Sequence, residues 1–197
     1  MTERKGYTIS DQYALYFVTL TTVGWVDLFT RKEYKDIIIE SLKYCICNKG
    51  LELYAYVIMP SHCHMILRAN ESSDGLSSIL RDMKKYSSKQ LLQSVLKSGK
   101  ESRRKWLEVV FQYHAKYNKN NAKYQVWQQN NYPKVLLHPK FTEQKLFYIH
   151  NNPVEAGIVL ESEHYLYSSA RNYLGFEFKV IDVNIIDFGV QEGYVFI

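Results

Sequence analysis

Three segments in the first third of the chain alternate apolar with polar residues or concentrate β-branched and aromatic ones, a pattern typical of β-strands. They are residues 13–22, 51–59 and 62–69. Only Pro60 and Ser61 separate the second segment from the third, so we expect a tight connection between two neighbouring strands. Residues i and i+2 of each strand should share one face of the sheet.

Between the first two strands, apolar residues recur at helical spacing over residues 30–49 and predict an α-helix. Thr30, followed three residues later by Glu33, has the pattern of a capping box at the start of this helix. Gly50 stands where a helix is expected to end. The chain therefore begins in the order strand, helix, strand, strand.

Residues 72–119 carry no strand pattern, and their apolar residues fall at helical spacing, which predicts at least two helices. Ser98, Gly99 and Lys100 are expected to separate these helices. A loop is predicted at 118–121, where three asparagines and a lysine follow one another.

The next elements are a short predicted strand at 124–128 and a predicted helix at 141–151. Thr142 is expected to cap this helix, and Pro153 to disturb or end it. The order of elements predicts an α+β fold: a ferredoxin- or RRM-like antiparallel sheet with helices on one face, plus a basic helical insertion.

A chain of 197 residues is long enough for one domain with its own core and short for two. We expect a single domain with a core over about residues 10–175, the insertion over about 72–120 and a C-terminal extension over about 176–197. The role of the extension is not readable from its weak alternation.

No run of 18 apolar residues is present, and residues 1–7 lack the pattern of a secretory signal. We therefore expect no membrane contact and a cytoplasmic location. Cys45, Cys47 and Cys63 are odd in number, and the segments that carry them are predicted as helix or strand, so we expect reduced thiols.

Charge is distributed unevenly along the chain. Residues 81–140 contain 14 Lys and Arg against 3 Asp and Glu, whereas the rest contains 11 against 17. Segregation of this size suggests a polyanion partner. Aromatic residues are interleaved with the basic ones, a combination that binds single-stranded nucleic acid, although a solvated helix face backed by core aromatics would give the same pattern.

His62 and His64, separated by one residue, stand at the start of the third predicted strand. Their Cβ atoms would lie roughly 6–7 Å apart on one face of the sheet, so two imidazoles can converge on one metal ion while Cys63 points away. A structural zinc site is disfavoured, because no further cysteine or histidine stands at a suitable spacing. A harder cation such as Mg²⁺ or Mn²⁺ stays open.

A second group of polar residues lies near the end of the predicted 141–151 helix. Tyr148 and Asn152 are four residues apart, so on a helix their side chains lie on one face. A phenol and an amide oxygen can then approach one ion together. The alternative is that Asn152 and Pro153 form only a helix stop.

The strings YVIMPSHCHMIL at 56–67 and YIHNNPVEAGIV at 148–159, with YSSA at 167–170, resemble the REP-associated tyrosine transposases. These belong to the HUH single-tyrosine transposases, named for a His, hydrophobe, His motif that reads His-Cys-His here. YFVTLT at 16–21 and the Trp127-Gln128 element are also similar, so the resemblance covers about residues 10–175.

The resemblance implies a divalent cation, Mg²⁺ or Mn²⁺, held by His62 and His64, with Asn152 where the family places a third polar ligand. It implies Tyr148 as the nucleophile of a single-stranded DNA endonuclease and strand transferase that forms a 5′-phosphotyrosine intermediate. Cys63 is smaller than the usual middle residue of the motif, though still apolar. Its implied partner is single-stranded DNA with REP-like hairpins, bound by a monomer or a homodimer.

From the residues, we expect the DNA-binding set to comprise basic side chains of the insertion and one aromatic beyond it: Arg81, Lys84, Lys85, Lys89, Arg103, Arg104, Lys105 and Trp127. Two other functions stay open. The first is a domesticated DNA-hairpin-binding protein without strand transfer. The second is an RNA-binding module on the same fold, which the His-Cys-His start of the third strand fits poorly.

Overall fold

The computed structural model describes residues 8–97, 99, 101–117 and 123–189. Its centre is a four-stranded antiparallel sheet in the spatial order β2-β3-β1-β4. The strands are β1 (Tyr16–Thr21), β2 (Leu51–Ile58), β3 (His62–Ala69) and β4 (Lys134–Val135). This is the strand order of ferredoxin-like folds, with β1 and β3 at the centre, and the predicted α+β class is confirmed.

Five α-helices accompany the sheet in the described ranges: α1 (Lys32–Lys49), α2 (Leu76–Lys97), α3 (Arg104–Lys116), α4 (Pro139–Glu155) and α5 (Ala170–Tyr173). Helices α2 and α3 lie within the predicted insertion, and Gly99 between them has a φ of 68°. Ser98, Lys100 and the predicted 118–121 loop lie outside the described residues. Among the helices of the described ranges, none is long and apolar enough to span a bilayer.

The strands alternate their side chains between two apolar cores. Val18, Leu20 and Met65 point toward α1 and α2 and are buried with residues of both helices. Phe17 and Ile66 point to the opposite face, where they pack with residues of α4. The predicted helices on one face are thus α1 and α2, whereas α4 covers the other face of the same sheet. Because helices cover both faces, an apolar core lies on each side of the sheet.

Helix boundaries differ from the predictions where a cap was expected. Helix α1 begins at Lys32 after Arg31, with no side-chain cap bond, so the predicted capping box of Thr30 and Glu33 is wrong. A short 3₁₀ turn ends at Thr30, which takes that residue out of the cap position. Gly50 does end α1, in a left-handed conformation with φ 70°.

Helix α4 begins earlier and ends later than predicted. It starts at Pro139, a favoured first position, and the Thr142 hydroxyl donates to the His138 carbonyl inside the first turn, at 3.1 Å. Pro153 lies within the helix, which continues to Glu155. The chain leaves the helix at Gly157, with φ 67°, whose N–H donates to the Val154 carbonyl.

The predicted strand at 124–128 is wrong. Its pairing is limited to one isolated bridge between Trp127 and Thr22. The fourth strand is instead the two-residue β4, which pairs with Tyr16 and Phe17 of β1. The 124–128 segment is apolar because Val126 and Trp127 are core residues, not because it extends the sheet.

The C-terminal segment lies along the outer edge of β2. The Ile58 N–H donates to the Tyr167 carbonyl at 2.9 Å, and Val57 forms an isolated bridge with Ser168. Further along, the Asn184 N–H donates to the Leu53 carbonyl at 2.8 Å. Residues 176–189 of the predicted extension therefore contact the domain without forming a strand, and residues 190–197 lie outside the described residues.

Candidate active site

The two histidines of β3 lie on the face of the sheet that α4 covers. In the antiparallel register His64 pairs with Thr19, and His62 with Thr21, both on β1. The imidazole ring centroids are 4.6 Å apart, with the planes inclined at 67°. Cys63 between them is fully buried in the opposite core. The i, i+2 spacing thus produces the convergence that the sequence predicted.

Both ring nitrogens of His64 have hydrogen-bond partners. Its Nδ1 lies 2.9 Å from the Thr19 hydroxyl oxygen, and its Nε2 lies 3.3 Å from the Tyr148 hydroxyl. With the hydrogen on Nδ1, this nitrogen donates to Thr19 and Nε2 accepts from the tyrosine O–H. The bond to Thr19 fixes the orientation of the imidazole, and a metal ion bound at Nε2 would replace the hydrogen bond from Tyr148.

Burial keeps the two imidazoles neutral. It lowers the pKa of His64 to about 3, and the neighbouring His62 and Lys145 act in the same direction. Burial also lowers the pKa of His62 below its usual value. The Nδ1 atom of His62 lies 3.1 Å from the Ser61 hydroxyl. Neutral imidazole is the form that binds metal ions, so the pair is ready to do so at neutral pH.

Tyr148 reaches the pair from α4 and is 36% exposed. Its ring meets that of His64 edge-on, with 5.1 Å between centroids. Phe17 of β1 stacks on His64 at 5.3 Å and meets Tyr148 at 6.1 Å. Tyr148 is therefore partly exposed, with its ring against Phe17 and its hydroxyl held beside the imidazole.

Lys145 lies one helical turn before Tyr148, and its ammonium is 5.3 Å from the centre of the tyrosine ring. The same ammonium is 5.0 Å from the centre of the Phe17 ring. Burial lowers its pKa, with a smaller contribution from Lys134. Sequence reasoning missed this cation, although its i, i+3 spacing from the tyrosine is a usable signal. It missed Thr19 as well, because the pairing of β1 with β3 is not local.

Helix α4 is fixed to the sheet on both sides of Tyr148. Ile149 is fully buried in the core between α4 and the sheet. The Nε2 atom of His150 lies 2.8 Å from the Ser169 hydroxyl, which accepts from the Tyr56 N–H. Burial lowers the pKa of His150 to about 4. This histidine faces the body of the domain and not the tyrosine hydroxyl.

Asn152, the expected third ligand, lies one turn after Tyr148 on α4 and is half-buried. Within the described ranges, no group of three or more His, Cys, Asp or Glu side chains forms a metal site. The structure therefore brings together His62, His64 and Tyr148, and it places Asn152 on the helix that carries the tyrosine.

A broad groove between α2 and the 124–133 segment is lined by Arg81, Lys84, Lys85, Lys89 and Trp127 of the expected DNA-binding set. Of these, Arg81, Lys85 and Lys89 are exposed. Arg104 and Lys105 are also exposed, at the start of α3. These five cations are accessible to a phosphate backbone.

The other three have partners inside the protein. The Lys84 ammonium donates to the Gln128 carbonyl and the Asn131 side chain, both at 2.7 Å, and burial lowers its pKa to about 8. Arg103 forms ion pairs with Asp27 and with the buried Glu101. Both cations have internal partners, and their contact with DNA stays a prediction.

Trp127 is a core residue and is 3% exposed. Its ring stacks on Phe29 at 5.5 Å, and its Nε1 donates to the Ser87 hydroxyl at 3.0 Å. A base cannot stack on a ring in this environment. The expectation that Trp127 contacts DNA is corrected accordingly.

Comparison with solved structures finds a REP-associated tyrosine transposase bound to a REP hairpin, with a TM-score of 0.60 and 21% identity, covering 99% of each chain. A candidate transposase from Deinococcus radiodurans R1 is also 21% identical, covers 77% of this chain and 97% of its own, and has a TM-score of 0.42. The first likeness shows a shared fold. No curated protein sequence matches the chain.

The family model of IS200-like transposases matches residues 15–117, slightly more than half of the chain. This range includes β1, the two histidines of β3 and most of the insertion, and it ends before Tyr148. The match and the shared fold agree with the resemblance found in the sequence motifs. The chain belongs to the family of IS200-like transposases.

Proposed function

We propose that this transposase-family protein cuts and rejoins single-stranded DNA beside hairpins, with Tyr148 as its nucleophile. One observation carries the proposal. The two predicted halves of the site, separated by 84 residues in sequence, meet where the Tyr148 hydroxyl lies 3.3 Å from Nε2 of His64. A nucleophile held beside a histidine that can bind a metal ion is the arrangement expected of a metal-assisted site.

In the proposed step, the Tyr148 oxygen attacks a phosphorus of the DNA backbone. A bond forms between the tyrosine oxygen and the phosphorus, and the bond from phosphorus to the 3′ oxygen breaks. The phenol proton is balanced by the proton gained on the 3′ oxygen, so the products are a 5′-phosphotyrosine and a free 3′-hydroxyl. The link keeps the phosphodiester energy, and a 3′-hydroxyl can therefore reverse the step without a nucleotide cofactor.

His62, His64 and Asn152 would hold a divalent ion, Mg²⁺ or Mn²⁺. The donors fit this role because burial keeps both imidazoles neutral and Thr19 orients His64. When bound, the ion would polarise the phosphate as a Lewis acid. Two nitrogen donors suit Mn²⁺ better than Mg²⁺, which prefers oxygen, so Mn²⁺ is the first ion to test.

Several cations of this chain would position the DNA. Lys145 lies beside the tyrosine ring and would meet the phosphate that Tyr148 attacks. Arg81, Lys85 and Lys89 line the groove along α2 and would bind the backbone further from the reacting bond. We propose a hairpin-forming DNA as the substrate, in line with the REP hairpin bound to the transposase that shares this fold.

The test uses labelled hairpin oligonucleotides with single-stranded flanks, incubated with Mn²⁺ or Mg²⁺ and analysed on denaturing gels. We expect a denaturant-resistant protein–DNA adduct with the wild type. The adduct should be absent with chelator and with Tyr148→Phe, which removes one oxygen from a partly exposed ring and leaves its packing in place. Tight binding without an adduct across a broad panel would instead favour a hairpin-binding protein without strand transfer.

A further inference from the structure

A turn between β1 and α1 carries an exposed tryptophan to the edge of the site. Trp25 is 61% exposed, and its ring lies edge-on to that of His62, with 5.7 Å between the centroids. Its φ is 54°, in the left-handed region that bulky residues rarely adopt. Exposure and backbone strain at one residue beside the candidate site point to a role other than packing.

Hydrogen bonds hold this turn in place. Gly24 and Trp25 both have positive φ, and the Val26 N–H closes the turn on the Val23 carbonyl at 3.3 Å. The preceding residue, Thr22, donates its N–H to the Ser61 carbonyl at 3.0 Å. Ser61 directly precedes His62, so this bond ties the tryptophan turn to the connection between β2 and β3. The positions of Trp25 and His62 relative to each other are therefore preorganised.

Helix α3 packs directly against the turn. A Cβ atom at Gly24 would lie 3.3 Å from Nε2 of His114 and 3.7 Å from Cγ1 of Val110. A side chain there would crowd the tip of the His114 side chain, and the positive φ also favours glycine. Glycine at this position therefore permits the close approach of α3 to the tryptophan turn.

Trp106 and Tyr113 on α3, and Tyr117 directly after its last residue, are exposed by 50%, 55% and 76%. Their spacing of seven and then four residues places them on one side of the helix, next to Val110, which faces the turn. We name these three residues the aromatic ridge. The helix also carries exposed cations: Arg104, Lys105 and Lys116.

We infer that Trp25 stacks on an unpaired base of the DNA flanking the hairpin, and that the aromatic ridge extends this stacking surface away from His62. Exposed aromatic faces beside cations are the combination that binds single strands without strong sequence preference. Inside a paired stem the base faces are already stacked on their neighbours, so the unpaired flank is the part of the DNA that offers free base faces to this surface. The inference rests on the proposed function and adds the residues that position the single strand.

Binding measured in chelator tests the inference without cleavage. Fluorescence anisotropy would compare one labelled hairpin with and without single-stranded flanks on both sides. We expect Trp25→Ala to weaken binding of the flanked hairpin by about tenfold and to change binding of the flankless hairpin by less than about twofold. Trp25→Phe should keep most of the affinity. Tyr44→Ala is the control, since Tyr44 is 57% exposed on α1.

The inference is overturned if Trp25→Ala leaves binding of the flanked hairpin unchanged, or weakens both DNAs equally. Trp25→Gly addresses disturbance of the turn, because glycine adopts the positive φ freely and lacks the ring, so it should behave like Trp25→Ala. Adduct formation by the wild type is read separately. An adduct with no effect of Trp25 defeats only this inference, and an effect of Trp25 without an adduct defeats only the proposed cleavage.

Discussion

The histidine face of the sheet and the basic helices of the insertion differ in how they use their polar side chains. On the sheet face, two residues chosen by i, i+2 spacing converge, and His64 contacts Tyr148. In the insertion, cations that look equivalent in sequence separate into exposed ones, such as Lys85, and internally paired ones, such as Lys84 and Arg103. The geometry of one strand brings the histidines together. Whether a cation of the insertion is exposed or paired depends on residues far away in the sequence.

The largest effect is expected from His64→Ala, which removes the imidazole that contacts Tyr148. Adduct formation should fall at least about a hundredfold, because even residues that only orient a metal ligand are worth 10- to 100-fold. Hairpin binding in chelator should stay within about twofold, which separates the site from the DNA-binding surface. His138→Ala, on an exposed histidine at the start of α4, is the control. Adduct formation at the wild-type rate would remove His64 from the site.

Mixing His64→Ala with Tyr148→Phe sharpens this test. Tyr148 contacts His64 of the same chain, so each inactive variant should stay inactive in the mixture. Recovered adduct would show that a second copy of the chain supplies the tyrosine.

The next largest effect is expected on the stability of the core around Trp127. Trp127→Ala should lower the free energy of unfolding by about 3–5 kcal/mol, the usual cost of removing a large buried ring. Urea unfolding measures it, and Trp127→Phe is the matched variant, because it keeps a ring against Phe29 and loses the bond to Ser87. A change in DNA affinity with unchanged stability would restore Trp127 as a DNA contact.

The smallest effects are expected in the insertion itself, where Lys84→Gln and Lys85→Gln form a matched pair. Lys85→Gln should weaken hairpin binding a few-fold and reduce the slope of log affinity against log salt by about 1, as for the loss of one phosphate contact. Lys84→Gln should instead lower stability by about 1 kcal/mol, since its ammonium donates to the Gln128 carbonyl and to Asn131. Equal salt slopes for the two variants would contradict the difference between them.

Much of the fold follows from local patterns in the sequence. The predicted bounds of β3 and the predicted end of α1 at Gly50 are correct, because a strand pattern and a left-handed C-cap each depend on only a few neighbouring residues. The two-residue β4 has no such signal. The strand pattern lies instead at 124–128, a segment whose apolar character comes from core packing. The sequence predicts that Pro153 disturbs or ends α4, but the helix continues past it to Glu155 and the chain leaves it near Gly157.

The candidate site divides in the same way. His62 and His64 were identifiable because strand geometry is periodic, and Tyr148 through its similarity to a known motif. Thr19 and Trp25 could not be found, because their neighbours come from distant parts of the chain. The backbone of Trp25 has a positive φ, and no sequence pattern indicates that a tryptophan adopts this conformation.

The C-terminal segment along the outer edge of β2 has a consequence for association between copies of this protein. A bare edge strand presents unpaired N–H and C=O groups to which another chain can add a strand, the first step of many aggregates. Here Tyr167, Ser168 and Asn184 pair with groups on that edge, and β4 at the far side is only two residues long. Because these edge groups already have partners inside the chain, strand addition by another copy is disfavoured at this edge.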